Sequence, residues 1–160
     1  MKTSENSLED KVEKILNKFE VKAVIFDLDG TLIDNNSFHL KSWIEYLKKI
    51  GRNISEEEYN LNFNGRTNKD VIKYIFNREM TEEEILKYSL EKEAVYREIY
   101  QQFIKPVNGL IRFLEVLKNK NIAMAIATSG IQPNIDFMFE NIPIKKYSHG
   151  HCYVGYSAKY

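Results

Sequence analysis

The chain has 160 residues, enough for one ordinary domain or a small core plus an insertion. Lys plus Arg and Asp plus Glu both number 23, so net charge makes no case for nucleic acid or an anionic membrane as partner, and no apolar stretch approaches a membrane span. The single cysteine, Cys152, excludes an internal disulfide and suits a reducing cytoplasm.

The first residues are polar and charged and lack the form of a secretory signal. From Ser7 to Glu20, Leu8, Val12, Ile15, Leu16 and Phe19 recur at helical spacing, with Ser7 placed as N-cap and Asp10 three positions on. The expectation for residues 1–20 is an extra amphipathic helix docked on the core.

Next comes Lys22-Ala23-Val24-Ile25-Phe26-Asp27-Leu28-Asp29-Gly30-Thr31-Leu32. The β-branched and aromatic run is too short for a helix and predicts a strand buried on both faces of a parallel sheet. Residues two apart on an extended chain share a side, so Asp27 and Asp29 are expected to face one crevice beyond the strand's C-terminal end. Gly30 permits a sharp turn there. Paired carboxylates repel unless a hard cation or a proton lies between them. The chemistry that suits them is phosphoryl transfer, one carboxylate attacking phosphorus and the other handling protons. The plain alternative is an acidic turn after an ordinary strand.

At Phe26-Asp27-Leu28-Asp29-Gly30-Thr31-Leu32-Ile33-Asp34 the chain resembles the haloacid-dehalogenase (HAD) superfamily, whose nucleophile motif is D-x-D-G-T. It is most similar there to the branch containing β-phosphoglucomutase and related sugar phosphatases. The resemblance implies that Asp27 is nucleophile and Mg²⁺ ligand. It implies that Asp29 is general acid/base, with its main-chain carbonyl also on the metal. A carboxylate at the second position favours a phosphate ester over an organohalide, whose leaving group needs no proton.

Residues 36–105 are charged and aromatic with helical periodicity. Ser55-Glu56-Glu57-Glu58 and Thr81-Glu82-Glu83-Glu84 fit capping boxes, and Tyr88, Val95, Ile99, Tyr100 and Phe103 form a helical stripe read as bundle core. The resemblance implies a helical cap, inserted after the first strand to close over the crevice and exclude water. Within it, His39 and Trp43 stand where the family's first cap helix has a His and a Trp. His39 is expected to titrate near neutrality or bond a hinge residue, or else to be an exposed first-turn histidine. The segment Asn64-Gly65-Arg66-Thr67-Asn68 resembles the substrate-specificity loop, which makes Arg66, Thr67 and Asn68 candidate ligands for a sugar phosphate. The alternative is that Thr67 or Asn68 caps the following helix.

After Pro106, Leu110, Phe113, Leu114 and Leu117 mark an amphipathic helix. A second apolar run then ends in Thr128-Ser129-Gly130, placing a hydroxyl and backbone N–H groups at the mouth of the next helix. It resembles the second HAD motif, with Thr128 binding phosphate and Ser129 and Gly130 contributing backbone donors; a simple helix cap is the alternative. The lysine with Pro-x-Pro and the acidic strand end that the family pattern requires next do not follow, so truncation at the C-terminus is expected. Lys159 lies near the family's spacing from Thr128 and is read as coincidence. His149, His151 and Cys152 carry groups that suit zinc but lack a fourth partner, and the 148–160 tail is read as irregular.

These readings give an α/β fold: a partial Rossmann-like HAD core, residues 21–35 and 106–147, with an inserted α-helical cap. The expected function is Mg²⁺-dependent phosphatase or phosphomutase action on a small phosphorylated metabolite in the cytoplasm, with a sugar phosphate favoured. The rival expectation is an inactive HAD-like protein that at most binds phosphate. With so few strands, weak turnover and a fragile, association-prone core are expected.

Overall fold

Parallel strands β1 (Ala23–Phe26) and β2 (Ala123–Ile126) pair in register from Ala23 opposite Ala123 to Phe26 opposite Ile126. They belong to a computed structural model that describes residues 8–147. Ser7, His149, His151, Cys152 and Lys159 therefore lie outside the described residues. The chain divides into two compact units, one running to Asp34 and resuming at Ile104, the other spanning Asn35–Phe103. The division falls one residue before the expected start of the helical insertion and two before its expected end, so Asn35 belongs to the helical unit.

In the α/β unit, helix α1 (Leu8–Lys18) buries Val12 and Leu16, while Ile15 and Phe19 stay exposed. Ion pairs Arg112–Glu9 and Lys120–Glu13 join it to the amphipathic helix that begins at Leu110 and to its C-cap. Two of the five apolar residues in the helical stripe thus carry the docking, because the contact covers only one flank of α1. Helix α6 (Leu110–Asn119) buries Leu110, Leu114 and Leu117, and its Phe113 meets Phe26 edge to face at 6.1 Å. Helix α7 (Gln132–Asn141) follows β2, and a short 3-10 turn at Lys145–Tyr147 ends the described chain, with Tyr147 buried.

The first strand is not buried on both faces as its composition suggests. Ile25 is 71% exposed and Val24 and Phe26 are half-buried, whereas Met124 in β2 is covered. A parallel strand rich in Val, Ile and Phe is built for cover on both sides. Among the described residues, only part of that cover is present.

The helical unit contains α2 (Asn36–Lys49), α3 (Glu56–Asn62), α4 (Asn68–Phe76) and α5 (Glu82–Tyr100). Its core gathers Trp43, Tyr46, Leu47, Phe63, Ile72 and Ile85, with Tyr88 and Ile99 packed at its margin. Trp43 meets Tyr46 and Phe63 edge-on, which makes it a packing residue. Thr81 forms both halves of a capping box with Glu84, and Ser55 forms the hydroxyl half by accepting from Glu58 N–H.

Candidate active site

The site of the α/β unit lies where β1 and β2 end side by side. Ala127 N–H donates to Phe26 C=O at 2.8 Å, carrying the pairing one step past the strands and setting Asp27 beside Ala127. Beyond it the chain turns tightly. Leu28 C=O accepts from Leu32 N–H at 2.9 Å, and Gly30 takes φ 71°, a left-handed value that glycine tolerates without steric penalty. Leu28 and Leu32 are buried and anchor this turn. The turn makes bridges of its own, from Asp29 to Ile33 and from Ile33 to Pro106.

Asp27 is exposed, and its Oδ1 accepts from Leu28 N–H at 2.8 Å, which orients the carboxylate. Asp29 is half-buried. Its Oδ2 lies 3.8 Å from where a Cβ on Gly130 would stand, and Thr128 Oγ1 lies 3.2 Å from the same point. The two sequence motifs therefore converge, with Asp29, Thr128 and Gly130 within van der Waals reach of one spot. Thr128 is buried and accepts Gly130 N–H at 3.0 Å, while Ser129 is exposed. Ile131, the N-cap of α7, supplies no side-chain cap, and Pro133 lies in the first turn. The first N–H groups of that helix suit an anion.

The hard oxygens that could hold a metal at this site are the carboxylate of Asp27 and those of Asp29. Among the described residues, no group of three or more His, Cys, Asp and Glu is placed to hold an ion. Mg²⁺ commonly binds through one or two carboxylates, with water and substrate phosphate completing its shell, so the donor set fits Mg²⁺ and not zinc.

The other predicted residues belong to the helical unit. Thr67 is the N-cap of α4; its hydroxyl accepts from Asp70 N–H and donates to Asp70 Oδ2 at 2.7 Å. Asn68 Nδ2 donates to Glu93 Oε1 at 2.8 Å. Arg66 is exposed beside Gly65, which sits at φ 74°. His39 stacks on Tyr96 at 4.3 Å with parallel rings, its Nε2 3.3 Å from Asn35 Nδ2 and its Nδ1 3.1 Å from Lys92 Nζ. Asn35 also donates to Tyr96 Oη at 2.7 Å and is fully buried.

Sequence reasoning passed over Asn35, Lys92, Glu93 and Tyr96. One signal was available, since Ile85, Ser89, Lys92, Tyr96 and Tyr100 repeat at four-three-four-four spacing on α5. A lysine inside such a stripe marks a buried polar cluster.

A family profile described as "Haloacid dehalogenase-like hydrolase" matches residues 24–150. Pyrophosphatase PpaX of Oceanobacillus iheyensis is 29% identical over 127 residues, covering 79% of this chain and 56% of its own length. The phosphorylated carbohydrates phosphatase of Thermotoga maritima is 20% identical over 127 residues, covering 79% of this chain and 58% of its own. The crystal structure of an Entamoeba histolytica HAD hydrolase of family IA, variant 3, superposes with TM-score 0.74 at 39% identity, covering 79% of this chain and 57% of that one. The chain thus spans a little over half the length of these relatives. No helix among the described residues is long and apolar enough to cross a membrane. With the profile spanning most of its length and both strand-end motifs in place, this chain belongs to the haloacid dehalogenase-like hydrolase family.

Proposed function

We propose that the chain carries the nucleophile and phosphate-binding parts of a phosphatase that works through an aspartyl phosphate. The observation that carries this reading is the convergence of Asp29 with Thr128 and Gly130 at adjoining strand ends, with Asp27 directly after β1. Asp27 Oδ attacks phosphorus, the bond from phosphorus to the leaving oxygen breaks, and Asp29 gives that oxygen its proton. Asp29 then takes a proton from water as the water oxygen attacks phosphorus. The bond from phosphorus to Asp27 breaks and inorganic phosphate leaves, with Asp27 again a carboxylate and Asp29 again protonated, as at the start. Thr128 and the backbone at Ser129, Gly130 and the start of α7 hold the phosphoryl oxygens. Mg²⁺, held by Asp27 and Asp29, would neutralise charge on the phosphoryl group.

The substrate class we propose is a small sugar phosphate, with His39 and Arg66 of the helical unit serving its recognition; Thr67 and Asn68 are engaged within that unit. The name of the Thermotoga relative supports this class. A second reading, pyrophosphate hydrolysis, is supported by the name of the Oceanobacillus relative, and the same nucleophile and phosphate cradle would serve both. A cytoplasmic setting fits the lone cysteine.

The test is phosphate release from glucose 6-phosphate and from pyrophosphate, with Mg²⁺ and with excess chelator, for the chain and for Asp27→Asn. Turnover that is weak but needs both Mg²⁺ and Asp27 is the expected result. Undiminished turnover in chelator, or in Asp27→Asn, would remove the reading.

A further inference from the structure

Helix α1 lies before residue 24, where the family profile begins to match, and the chemistry above gives it no task. Its side chains sort into rows, since residues three or four apart are neighbours on a helix surface. Glu9 and Glu13 form one row, held by Arg112 at 3.0 Å and Lys120 at 2.6 Å. Val12 and Leu16 form the next and are buried. Ile15 and Phe19 follow, 56% and 65% exposed, and Phe19 N–H donates to Ile15 C=O at 3.1 Å, which continues the helical turn. Beyond them stand Lys11, Lys14 and Lys18, all exposed, with the Lys18 ammonium 5.1 Å from the centre of the Phe19 ring. Asp10 and Asn17 lie further round, on the far side of Lys14 from the apolar pair.

The helix thus gives two of its carboxylates to cations of its own unit and turns outward two large apolar side chains edged by three ammonium groups. Charge complementarity calls for an anionic partner with an apolar layer beneath its charge. Size decides what kind of partner that is. A helix of 11 residues is about 16 Å long and about 10 Å across. Its outer flank falls well short of the roughly 800 Å² that each partner of a stable protein interface covers. A bilayer surface demands neither that area nor a matching groove. Phe and Ile side chains enter the boundary between headgroups and acyl chains, while lysine methylenes lie along it and keep their ammonium groups at the phosphates.

We propose that this flank of α1 docks on an anionic lipid surface, with Ile15 and Phe19 as the apolar contact and Lys11, Lys14 and Lys18 as the charged one. The even balance of charge over the whole chain does not oppose this, because attraction to a charged surface fades within a Debye length, about 10 Å at 0.1 M salt. With two apolar side chains engaged, the binding is reversible. The proposal stands apart from the phosphatase reading and does not depend on it.

The test is co-sedimentation of the full chain with vesicles of phosphatidylcholine alone and of phosphatidylcholine and phosphatidylserine in equal parts. One variant is Lys11→Gln with Lys14→Gln and Lys18→Gln. A second is Ile15→Ser with Phe19→Ser. A third, Lys48→Gln with Lys73→Gln and Lys87→Gln, removes the same charge from exposed positions of the helical unit. All substituted positions are exposed, and thermal melting verifies that each variant stays folded. Binding is expected on the phosphatidylserine vesicles only, and it should weaken as salt rises. At roughly fivefold per lysine, the α1 lysine variant should bind roughly a hundredfold more weakly. The Ile15 and Phe19 variant should lose roughly tenfold or more, and the helical-unit variant should bind as the unsubstituted chain does. No binding to either vesicle, equal binding to both, or equal losses in the two lysine variants would overturn the proposal. So would a loss confined to the α1 lysines with none on removing Ile15 and Phe19, which would assign the flank to an acidic protein or another soluble polyanion.

Discussion

The Asp29 carboxylate and the backbone of Gly130 face each other so closely that a Cβ on Gly130 would stand 3.8 Å from Asp29 Oδ2. The same Cβ would lie 3.2 Å from Thr128 Oγ1, tighter than ordinary van der Waals contact. Gly130→Ala should therefore push the Thr128 hydroxyl aside by a few tenths of an ångström and cost about 1 kcal/mol of stability, with Gly130→Val costing more. Binding of a phosphate mimic should weaken in the same order. Thermal melting and a phosphate titration check both, and a neutral Gly130→Val would show that the close approach has no consequence.

Asp29→Asn separates proton transfer from phosphate binding. Sugar phosphates leave poorly without protonation, so their turnover should fall by about 10²-fold or more. An aryl phosphate, whose leaving oxygen needs little help, should suffer less. Rates on both substrates with the same enzyme preparation decide it. Equal losses would assign Asp29 to the metal or the fold.

Ile25 places a large apolar side chain, 71% exposed, on the first strand. Exposed apolar strand positions invite pairing between molecules. Ile25→Lys should lower self-association while changing unfolding free energy by no more than about 0.5 kcal/mol, as for other surface substitutions. Sedimentation velocity alongside denaturant unfolding tests this, and unchanged association would exonerate that face.

Acid should loosen the helical unit at the start of α5. The Arg78 guanidinium bonds Glu84 at 2.7 Å and, with Thr81 N–H, holds the Glu84 carboxyl down from its ordinary 4.5 to about 2. Lys69 lowers Glu82 as well. A carboxyl depressed in the folded state binds fewer protons there than when unfolded. Its stabilising contribution is thus complete above pH 4.5 and is lost as pH falls towards about 2. Arg78→Gln should move the acid unfolding midpoint to higher pH, with the loss of stability fully present above pH 4.5 and vanishing as pH falls towards about 2. Far-UV circular dichroism across that window measures the shift, and coincident midpoints would refute it.

Much of this molecule follows from short stretches of its sequence. A Val-Ile-Phe run ending in Asp27-Leu28-Asp29-Gly30 specifies strand, turn and two closely spaced aspartates within seven residues, because alternation, glycine's left-handed freedom and strand sterics act locally. The Thr81–Glu84 capping box and the 3.6-residue stripes are local in the same sense. Which apolar residues find cover is a different matter. Ile15, Phe19 and Ile25 have core composition and stay exposed, because burial depends on what packs opposite. Thr67 could have faced substrate or capped α4, and packing committed it to the cap. The Asn68–Glu93 bond spans 25 residues of chain and the His39–Lys92 contact 53. Such pairings depend on desolvation: a lysine or glutamate on a helix prefers water until neighbouring helices remove the water and supply a partner. The sequence by itself determined the strand, the turn and the two aspartates at its end; only the tertiary structure decided which polar groups would be buried together and which would be left facing out.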